Sequence, residues 1–68
     1  MKSNFAINHK TLRVNSKLTQ PELAIKLGVS KAIISFWEND IYEPTASNII
    51  MIAKFFDVSI DDLLLEVI

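Results

Sequence analysis

The chain has 68 residues, half of them hydrophobic, with no cysteine, one glycine and a formal net charge of −1 at pH 7. This length and composition fit one small folded domain over residues 1–68 and exclude a disordered segment. The absence of cysteine excludes disulfides and cysteine-based zinc sites. No apolar run reaches the roughly 18 residues of a membrane span, and the N-terminus lacks a signal-peptide core, so we expect a cytoplasmic protein.

The charges are divided unevenly along the chain. Residues 1–37 hold six of the seven basic residues and one of the eight acidic residues, and residues 38–68 hold the other basic residue and seven acidic residues. A domain that is polarised in this way can present a positive side to a polyanion although its net charge is slightly negative. Chance is the alternative explanation in so short a chain.

Spacing and capping residues predict an all-α domain of five short helices. The first helix covers about residues 4–15, and Phe5, Leu12 and the candidate His9 would face the core. Thr19 and Glu22 have the spacing of a capping box for the second helix, residues 20–27, with Pro21 in its first turn. The buried residues of the second helix would be Leu23, Ala24 and Leu27.

The third helix begins after Ser30, a good N-cap, and runs from Lys31 to about Asn39 with Ile34 and Trp37 on its inner face. Thr45 caps the fourth helix, and Ser59 with Asp62 predicts a second capping box for the fifth. The inward residues of the fourth helix would be Ile49, Ile52, Ala53 and Phe56. The last six residues, 63–68, form the one segment that also fits a strand.

The second and third predicted helices are joined by about three residues with a glycine at the break. This is the spacing of a helix-turn-helix, in which two helices cross steeply. Gly28 allows the positive φ that such a tight turn requires. The small Ala24, four residues earlier, lets the two helices approach each other closely. The segment therefore predicts a helix-turn-helix motif.

The stretch LTQPELAIKLGVSKAIISFWEND, residues 18–40, resembles the lambda-repressor-like helix-turn-helix family, which includes Cro and repressor DNA-binding domains. The similarity also includes Leu12, Arg13, Pro44 and residues 52–64, so it covers nearly the whole chain. It implies a compact five-helix domain that binds double-stranded DNA sequence-specifically in a small bacterial or phage transcriptional regulator, most often a repressor. The helix that begins at Lys31 would be the recognition helix, lying in the major groove.

The resemblance also assigns roles to individual residues. The base-reading positions fall on Lys31, Ala32 and Phe36. The phosphate-contacting and flanking positions fall on Gln20, Ile33, Ser35 and Asn39, and Lys17 joins the DNA-binding set. In the family, the pair that corresponds to Arg13 and Glu38 forms a structural ion pair between the first helix and the end of the recognition helix. Asn39 could instead simply close its helix, and the ion pair could be two exposed charges.

The candidate readers are unusually apolar. Lys31 can reach a guanine edge or a phosphate, or remain a solvated surface lysine. Ala32 and Phe36 can read only apolar features, chiefly the thymine methyl group, so we expect an operator with A·T pairs. Alternatively, Phe36 packs back on its own helix or against another protein. In the following loop, Asp40 stands where the family often has glycine, and Ile41, Tyr42 and Glu43 replace basic residues that meet phosphate. Because Asp40 and Glu43 would repel the DNA backbone, we expect modest affinity and a shallow salt dependence.

The chain has more apolar residues than its core requires. Together they predict a two-fold homodimer through the fifth helix and the tail, with recognition helices about 34 Å apart on a palindromic operator. The alternative is that the tail, residues 65–68, folds back over the first helix and covers these residues. The residues assigned to the dimer interface are Ile50, Met51, Phe55, Leu65, Val67 and Ile68.

The sequence offers no candidate for catalysis, a cofactor or a metal. His9 has no acidic partner nearby in sequence, and Asp61, Asp62 and Glu66 are typical of helix capping and solvated charge. The main alternative function is a protein-interaction module, of antirepressor or antitoxin type, on the same scaffold. The apolar Ala32, Ile33 and Phe36 and the acidic loop favour it.

Overall fold

The computed structural model describes residues 3–68 and contains five α-helices and no strand in that range. The helices are α1 (Phe5–Asn15), α2 (Gln20–Leu27), α3 (Lys31–Glu38), α4 (Ala46–Phe56) and α5 (Ile60–Leu64). The predicted all-α, five-helix architecture is therefore confirmed. The predicted bounds of the first three helices agree with the structure to within one residue. The strand alternative for the tail is wrong, because α5 continues to Leu64 and a turn follows it.

Side-chain caps start four of the helices. Thr19 accepts from the Glu22 N–H at 3.2 Å and donates its own N–H to Glu22 Oε1 at 2.9 Å, so the predicted capping box is confirmed. Ser59 accepts from the Asp62 N–H at 3.0 Å, but the reverse bond is not part of this cap. The second capping box is therefore wrong, since the aspartate side chain is one methylene shorter than that of glutamate. Single caps also begin α3 at Ser30 and α4 at Thr45.

The core lies where α1 crosses α3 and α5, with α2 packed on α3. Trp37 is its largest fully buried side chain and meets the ring of Phe5 edge-to-face, with 6.1 Å between centroids. Ile34 and Trp37 together fasten the inner face of α3 to the rest of the domain. The other buried hydrophobic residues are Phe5, Leu23, Ala24, Leu27, Ile52, Ala53 and Leu63.

The C-terminal tail is held by Asn8, a fully buried polar residue that the sequence did not reveal as important. Its Nδ2 has two hydrogens and lies within hydrogen-bond distance of the carbonyl oxygens of Asp62, Leu63 and Glu66, at 3.2, 2.9 and 2.6 Å, and its Oδ1 accepts from the Ile68 N–H at 3.1 Å. One amide thus satisfies backbone groups that the short α5 leaves without helical partners. The tail backbone does fold back along α1.

None of the helices in the described part of the chain is both long and apolar enough to cross a membrane.

Substitutions at the ends of α2 and α4 should change stability in opposite directions. Gly28 ends α2 with φ +72°, and a β-carbon added there would meet no atom within 4 Å. Asp57 ends α4 in the same left-handed region, at φ 55°, with its negative charge at the helix C-terminus. Because a β-carbon is strained there, Gly28→Ala should lower the free energy of unfolding by about 1 kcal/mol, and Asp57→Gly should raise it by a similar amount. Urea denaturation followed by Trp37 fluorescence measures both, and a loss of stability in Asp57→Gly would contradict the argument.

Candidate nucleic-acid interface

The turn between α2 and α3 presents α3 at the surface. Gly28 adopts the left-handed conformation, and Val29 donates its N–H to the Ala24 carbonyl at 3.0 Å, which closes the turn. Ser30 then caps α3. Because Ile34 and Trp37 anchor one side of α3 in the core, the opposite side is left free to meet a ligand.

The outward side of α3 carries the predicted base readers. Lys31 and Ala32 are exposed, whereas Phe36 is half-buried. Of the predicted flanking residues, Ser35 is half-buried, and Ile33 is half-buried because it packs against the core rather than standing free. The structure thus places the three predicted readers on one side of a single helix and leaves Ile33 between that side and the core.

Phe36 is not a free surface side chain. Its ring meets that of Tyr42 edge-to-face, with 5.0 Å between centroids and an interplanar angle of 87°. The chain reverses after α3 through Asp40, whose φ is 59°, and the Ile41 N–H donates to the Phe36 carbonyl at 2.9 Å. This turn brings Tyr42 back beside α3. Phe36 therefore packs against a residue of the loop that follows its own helix.

Asn39 is the C-cap residue of α3, and its side chain turns back along the helix. Its Nδ2 donates to the Ser35 carbonyl at 2.8 Å and to the Ser35 hydroxyl at 3.3 Å. Ser35 and Asn39, which were both predicted to contact or flank the DNA phosphates, are therefore hydrogen-bonded to each other. Asn39 remains exposed, and its amide oxygen faces no partner within residues 3–68.

Glu38, at the end of α3, accepts hydrogen bonds from side chains of α1 and α2. Arg13 donates to its two carboxylate oxygens from Nε at 2.8 Å and Nη2 at 3.0 Å, and Gln20 donates from Nε2 at 3.2 Å. The Arg13 side chain is 12% exposed and that of Glu38 is 2% exposed. The pair is therefore a shielded, bidentate ion pair, unlike two exposed charges. Gln20 was predicted to contact a phosphate, but one of its side-chain N–H groups donates to this carboxylate.

The hydrogen bonds fix the ionisation of this pair. Burial favours the neutral form of Glu38, but contacts from His9, Arg13 and Gln20 outweigh burial and lower the pKa of Glu38 to about 2. The hydrogen bond to Glu38 raises the pKa of Arg13, against a smaller opposing effect of burial. Both groups are thus charged at every pH at which the domain would work. The ion pair links α1 to the end of α3, and the hydrogen bond from Gln20 adds α2.

His9 is fully buried, so the expectation that it faces the core is confirmed, and the fold brings it an acidic partner that is distant in sequence. Its Nδ1 lies 2.9 Å from Glu38 Oε2, although the ring N–H is not aligned as in a hydrogen bond. Among the described residues, Nε2 has no hydrogen-bond partner. The rings of Phe5, Trp37 and Phe56 surround the imidazole at centroid distances of 5.4, 5.8 and 6.3 Å. Folding of the chain, not sequence proximity, supplies its partner.

Lys17 lies outside the helix-turn-helix, in the turn after α1. It is exposed and has φ 60°, a left-handed conformation that a non-glycine residue adopts only in special turns. Its backbone N–H donates to the Val14 carbonyl at 2.9 Å. The turn therefore fixes where the Lys17 backbone stands, next to the start of α2.

The residues assigned to dimerisation occupy α4 and the tail. Met51 is half-buried and packs against the core, so it adds little to an outer surface. The tail backbone folds back to Asn8, but its side chains are not covered, with Val67 at 74% exposure. The fold-back of the tail is thus realised for its backbone, and its apolar side chains stay exposed. The other exposed members of the predicted set are Ile50, Phe55, Leu65 and Ile68.

Comparison with known proteins places this geometry in a family. A family model described as helix-turn-helix matches residues 10–63. The HTH-type transcriptional activator BcrR of Enterococcus faecalis is 45% identical over 53 residues, which cover 78% of this chain and 26% of that protein. The uncharacterized HTH-type transcriptional regulator MJ0272 of Methanocaldococcus jannaschii is 44% identical over 54 residues, 79% of this chain and 82% of that protein.

A solved structure extends the likeness to three dimensions. The P22 c2 repressor protein, crystallised in complex with synthetic operator 9T, superposes with a TM-score of 0.84 at 31% sequence identity. The superposition covers 91% of this chain and 94% of that one. The chain therefore belongs to the lambda-repressor-like helix-turn-helix family of DNA-binding transcriptional regulators.

Proposed function

We propose that the protein binds double-stranded DNA sequence-specifically, with α3 in the major groove, as a small bacterial or phage transcriptional repressor that acts in the cytoplasm. The observation that supports this most strongly is the outward side of α3. Lys31 and Ala32 are exposed there, and Phe36 is held at its edge, on a helix that Ile34 and Trp37 fix from behind. A helix presented in this way can enter a groove about 12 Å wide with its N-terminal residues on base edges.

Electrostatics favours the N-terminal half of the interface. The first N–H groups of α3, except those of Ile33 and Ile34 that donate to Ser30, are open to phosphate oxygens, and the charge of Lys31 adds to this attraction. Beyond the helix, Asp40 and Glu43 would lie near the DNA backbone and oppose it. With few basic side chains to displace counterions, log Kd should change gently with log salt concentration, by about 0.9 for each phosphate neutralised.

We further propose that the DNA-bound form is a homodimer. The exposed Ile50 and Phe55 of α4 and the uncovered side chains of the tail offer apolar area that a second copy would bury. A two-fold pair would match a palindromic operator with half-sites one helical turn apart. Sedimentation of the protein bound to a two-half-site duplex measures the stoichiometry. One protein per duplex at saturation would contradict the dimer.

Selection from random duplexes with the purified protein tests the proposed function. We expect enrichment of a palindrome whose half-sites contain A·T pairs, because Ala32 and Phe36 can read a thymine methyl group and cannot form hydrogen bonds. The bound fraction should fall when salt is raised. The proposal is wrong if no sequence is enriched over the starting pool at low salt.

Replacing Lys31 with Ala should weaken binding to the selected duplex by about 1–3 kcal/mol if its ammonium group meets a base edge. Because Lys31 is exposed and outside the core, the midpoint of unfolding should not move. Fluorescence anisotropy of labelled duplex gives the first quantity and thermal denaturation the second. Lys54→Ala, which removes an exposed lysine from α4, is the matched control and should bind as the wild type does.

A protein-interaction module is the second candidate function. It is favoured by the aromatic pair of Phe36 and Tyr42 beside the exposed Ala32, and by the acidic Asp40 and Glu43 in the next loop. Apolar contact with a protein surface should persist or strengthen in high salt, whereas DNA binding should weaken. The same salt titration therefore separates the two functions.

A further inference from the structure

The polar side chains along the recognition surface are largely engaged with one another. Asn39 bonds to Ser35, and Gln20 donates to Glu38 at 3.2 Å. Ala32 and Phe36 are the apolar positions on the outward side of α3 after Lys31. Neither side chain can donate or accept a hydrogen bond. At these two positions the surface is thus limited to apolar contacts.

The Phe36 ring is also held in place. Its edge-to-face contact with Tyr42 at 5.0 Å limits the rotamers that the phenylalanine side chain can adopt. Tyr42 itself is 57% exposed, so it supports the ring from the outer side of the loop and not from the core. A pre-positioned ring loses little conformational entropy when it meets a small apolar group, and this makes the contact more favourable.

The major groove offers such a group at one place. Thymine presents its C5 methyl group there, whereas unmodified cytosine presents a C5 hydrogen and an N4 donor. 5-Methylcytosine carries the same methyl group on the same ring carbon and differs from thymine in its N4 amino group, where thymine has O4. A reader without hydrogen-bonding atoms detects the methyl group and has no means of sensing that difference.

We propose that Phe36, held by Tyr42, recognises the C5 methyl group of a pyrimidine, so that 5-methylcytosine can replace thymine at the base pair it contacts. Binding to cytosine-containing sites would then respond to C5 methylation. The inference rests on the proposed function, since it takes α3 to lie in the major groove. Tyr42 acts in it as a positioning residue for the Phe36 ring.

A duplex series tests the proposal without altering the protein. At each A·T pair of the selected half-site, dT is replaced in turn by dU, by dC and by 5-methyl-dC, with the complementary base adjusted. Burial of one methyl group corresponds to about a three- to fivefold change in Kd. We expect dU to bind about three- to fivefold more weakly than dT at one or two positions of the half-site. At the same positions, 5-methyl-dC should bind more tightly than dC by a similar factor.

Protein variants assign the effect to the aromatic pair. We define the dT/dU ratio as the affinity for the dT duplex divided by the affinity for the dU duplex. In Phe36→Ala this ratio should fall to about 1 at the sensitive position. Tyr42→Ala should lower the ratio although the methyl-contacting ring is still present, whereas Tyr42→Phe keeps the edge-to-face contact and should keep the ratio. Lys31→Ala is the matched control, because it should weaken binding to every duplex and leave the ratio unchanged. Thermal unfolding of each variant verifies that it is folded.

The outcomes separate this inference from the function beneath it. If the wild-type protein binds the selected duplex but dT and dU are equal at every position, methyl recognition is wrong and DNA binding stands. A dT/dU preference that survives Phe36→Ala would also overturn the assignment to this ring. If the protein binds no duplex at all, the proposed function itself fails.

Discussion

Replacing Glu38 with Gln should lower the free energy of unfolding by about 3 kcal/mol at pH 7. The wild-type carboxylate accepts two hydrogen bonds from Arg13 and one from Gln20, and its side chain is 2% exposed. A glutamine in this place presents one oxygen and one NH₂ group to donors that need two acceptors. It also leaves the Arg13 charge shielded from water without its counter-charge, which typically costs about 3–5 kcal/mol. Urea denaturation followed by Trp37 fluorescence measures the loss.

The same carboxylate should make stability dependent on acid. The pKa of Glu38 is about 2 in the folded domain against an ordinary value of 4.5, so the unfolded chain takes up the proton first as the pH falls. The stabilisation is therefore complete above about pH 5 and is lost progressively down to about pH 2, by about 3 kcal/mol in all. The difference between wild type and Glu38→Gln should shrink over this range.

A control isolates this effect from the other carboxylates of the chain. Glu43→Gln removes an exposed glutamate from the loop after α3, and its unfolding curve should follow that of the wild type at each pH. If the wild type and Glu38→Gln lose stability in parallel between pH 5 and pH 2, Glu38 is not the group responsible.

Replacing Asn8 with Asp should cost at least about 3 kcal/mol at neutral pH. The Asn8 Nδ2 faces three carbonyl oxygens, and an ionised carboxylate there would bring a buried negative charge against three acceptors. Asn8→Ala should cost about 2 kcal/mol, because it removes the donor but adds no charge. Chemical denaturation measures both free energies.

Asn4→Ala is the matched control for the tail. Asn4 Nδ2 donates to the Leu65 carbonyl at 3.2 Å, but this hydrogen bond is exposed, so its loss should cost less than 1 kcal/mol. In Asn8→Ala, the Ile68 N–H loses its acceptor and should exchange with solvent faster than in Asn4→Ala. Equal stabilities of the two alanine variants would contradict the role given to Asn8.

Local chemistry explains why the helices could be predicted so closely. Thr19 with Glu22, Gly28, Ser30 and Thr45 each act within one turn of their own position, so their effect is visible in the sequence. The inner residues of α3 were also predictable, because Ile34 and Trp37 repeat with the helical period. Where the second capping box failed, the cause was again local, since Asp62 is too short to complete it.

The interactions that the sequence did not reveal join residues far apart in the chain. Asn8 meets the tail across 54–60 residues, and His9 meets Glu38 only because α1 crosses α3. A signal did exist: Phe5, Asn8, His9 and Leu12 follow the i, i+3, i+4, i+7 spacing of one buried stripe. Two polar residues on such a stripe must find partners, but periodicity does not identify them.

The candidate interface also contains both features that the sequence predicted and contacts that only the fold reveals. The position of Lys31, Ala32 and Phe36 on one side of α3 follows from the helical period. The contact between Phe36 and Tyr42 depends on the left-handed conformation of Asp40, and no periodic pattern reports where a loop returns. The engagement of Gln20 with Glu38 likewise follows from the crossing of α2 and α3.

The most direct measurement is a titration of the ¹⁵N-labelled protein with the selected duplex, followed by amide chemical shifts. We expect the largest shift changes on residues 31–36 of α3, smaller ones at Gln20 and in the loop around Tyr42, and unchanged amide shifts in α5. Shift changes confined to α4 and the tail, with α3 undisturbed, would contradict the claim that the outward side of α3 is the surface that meets DNA.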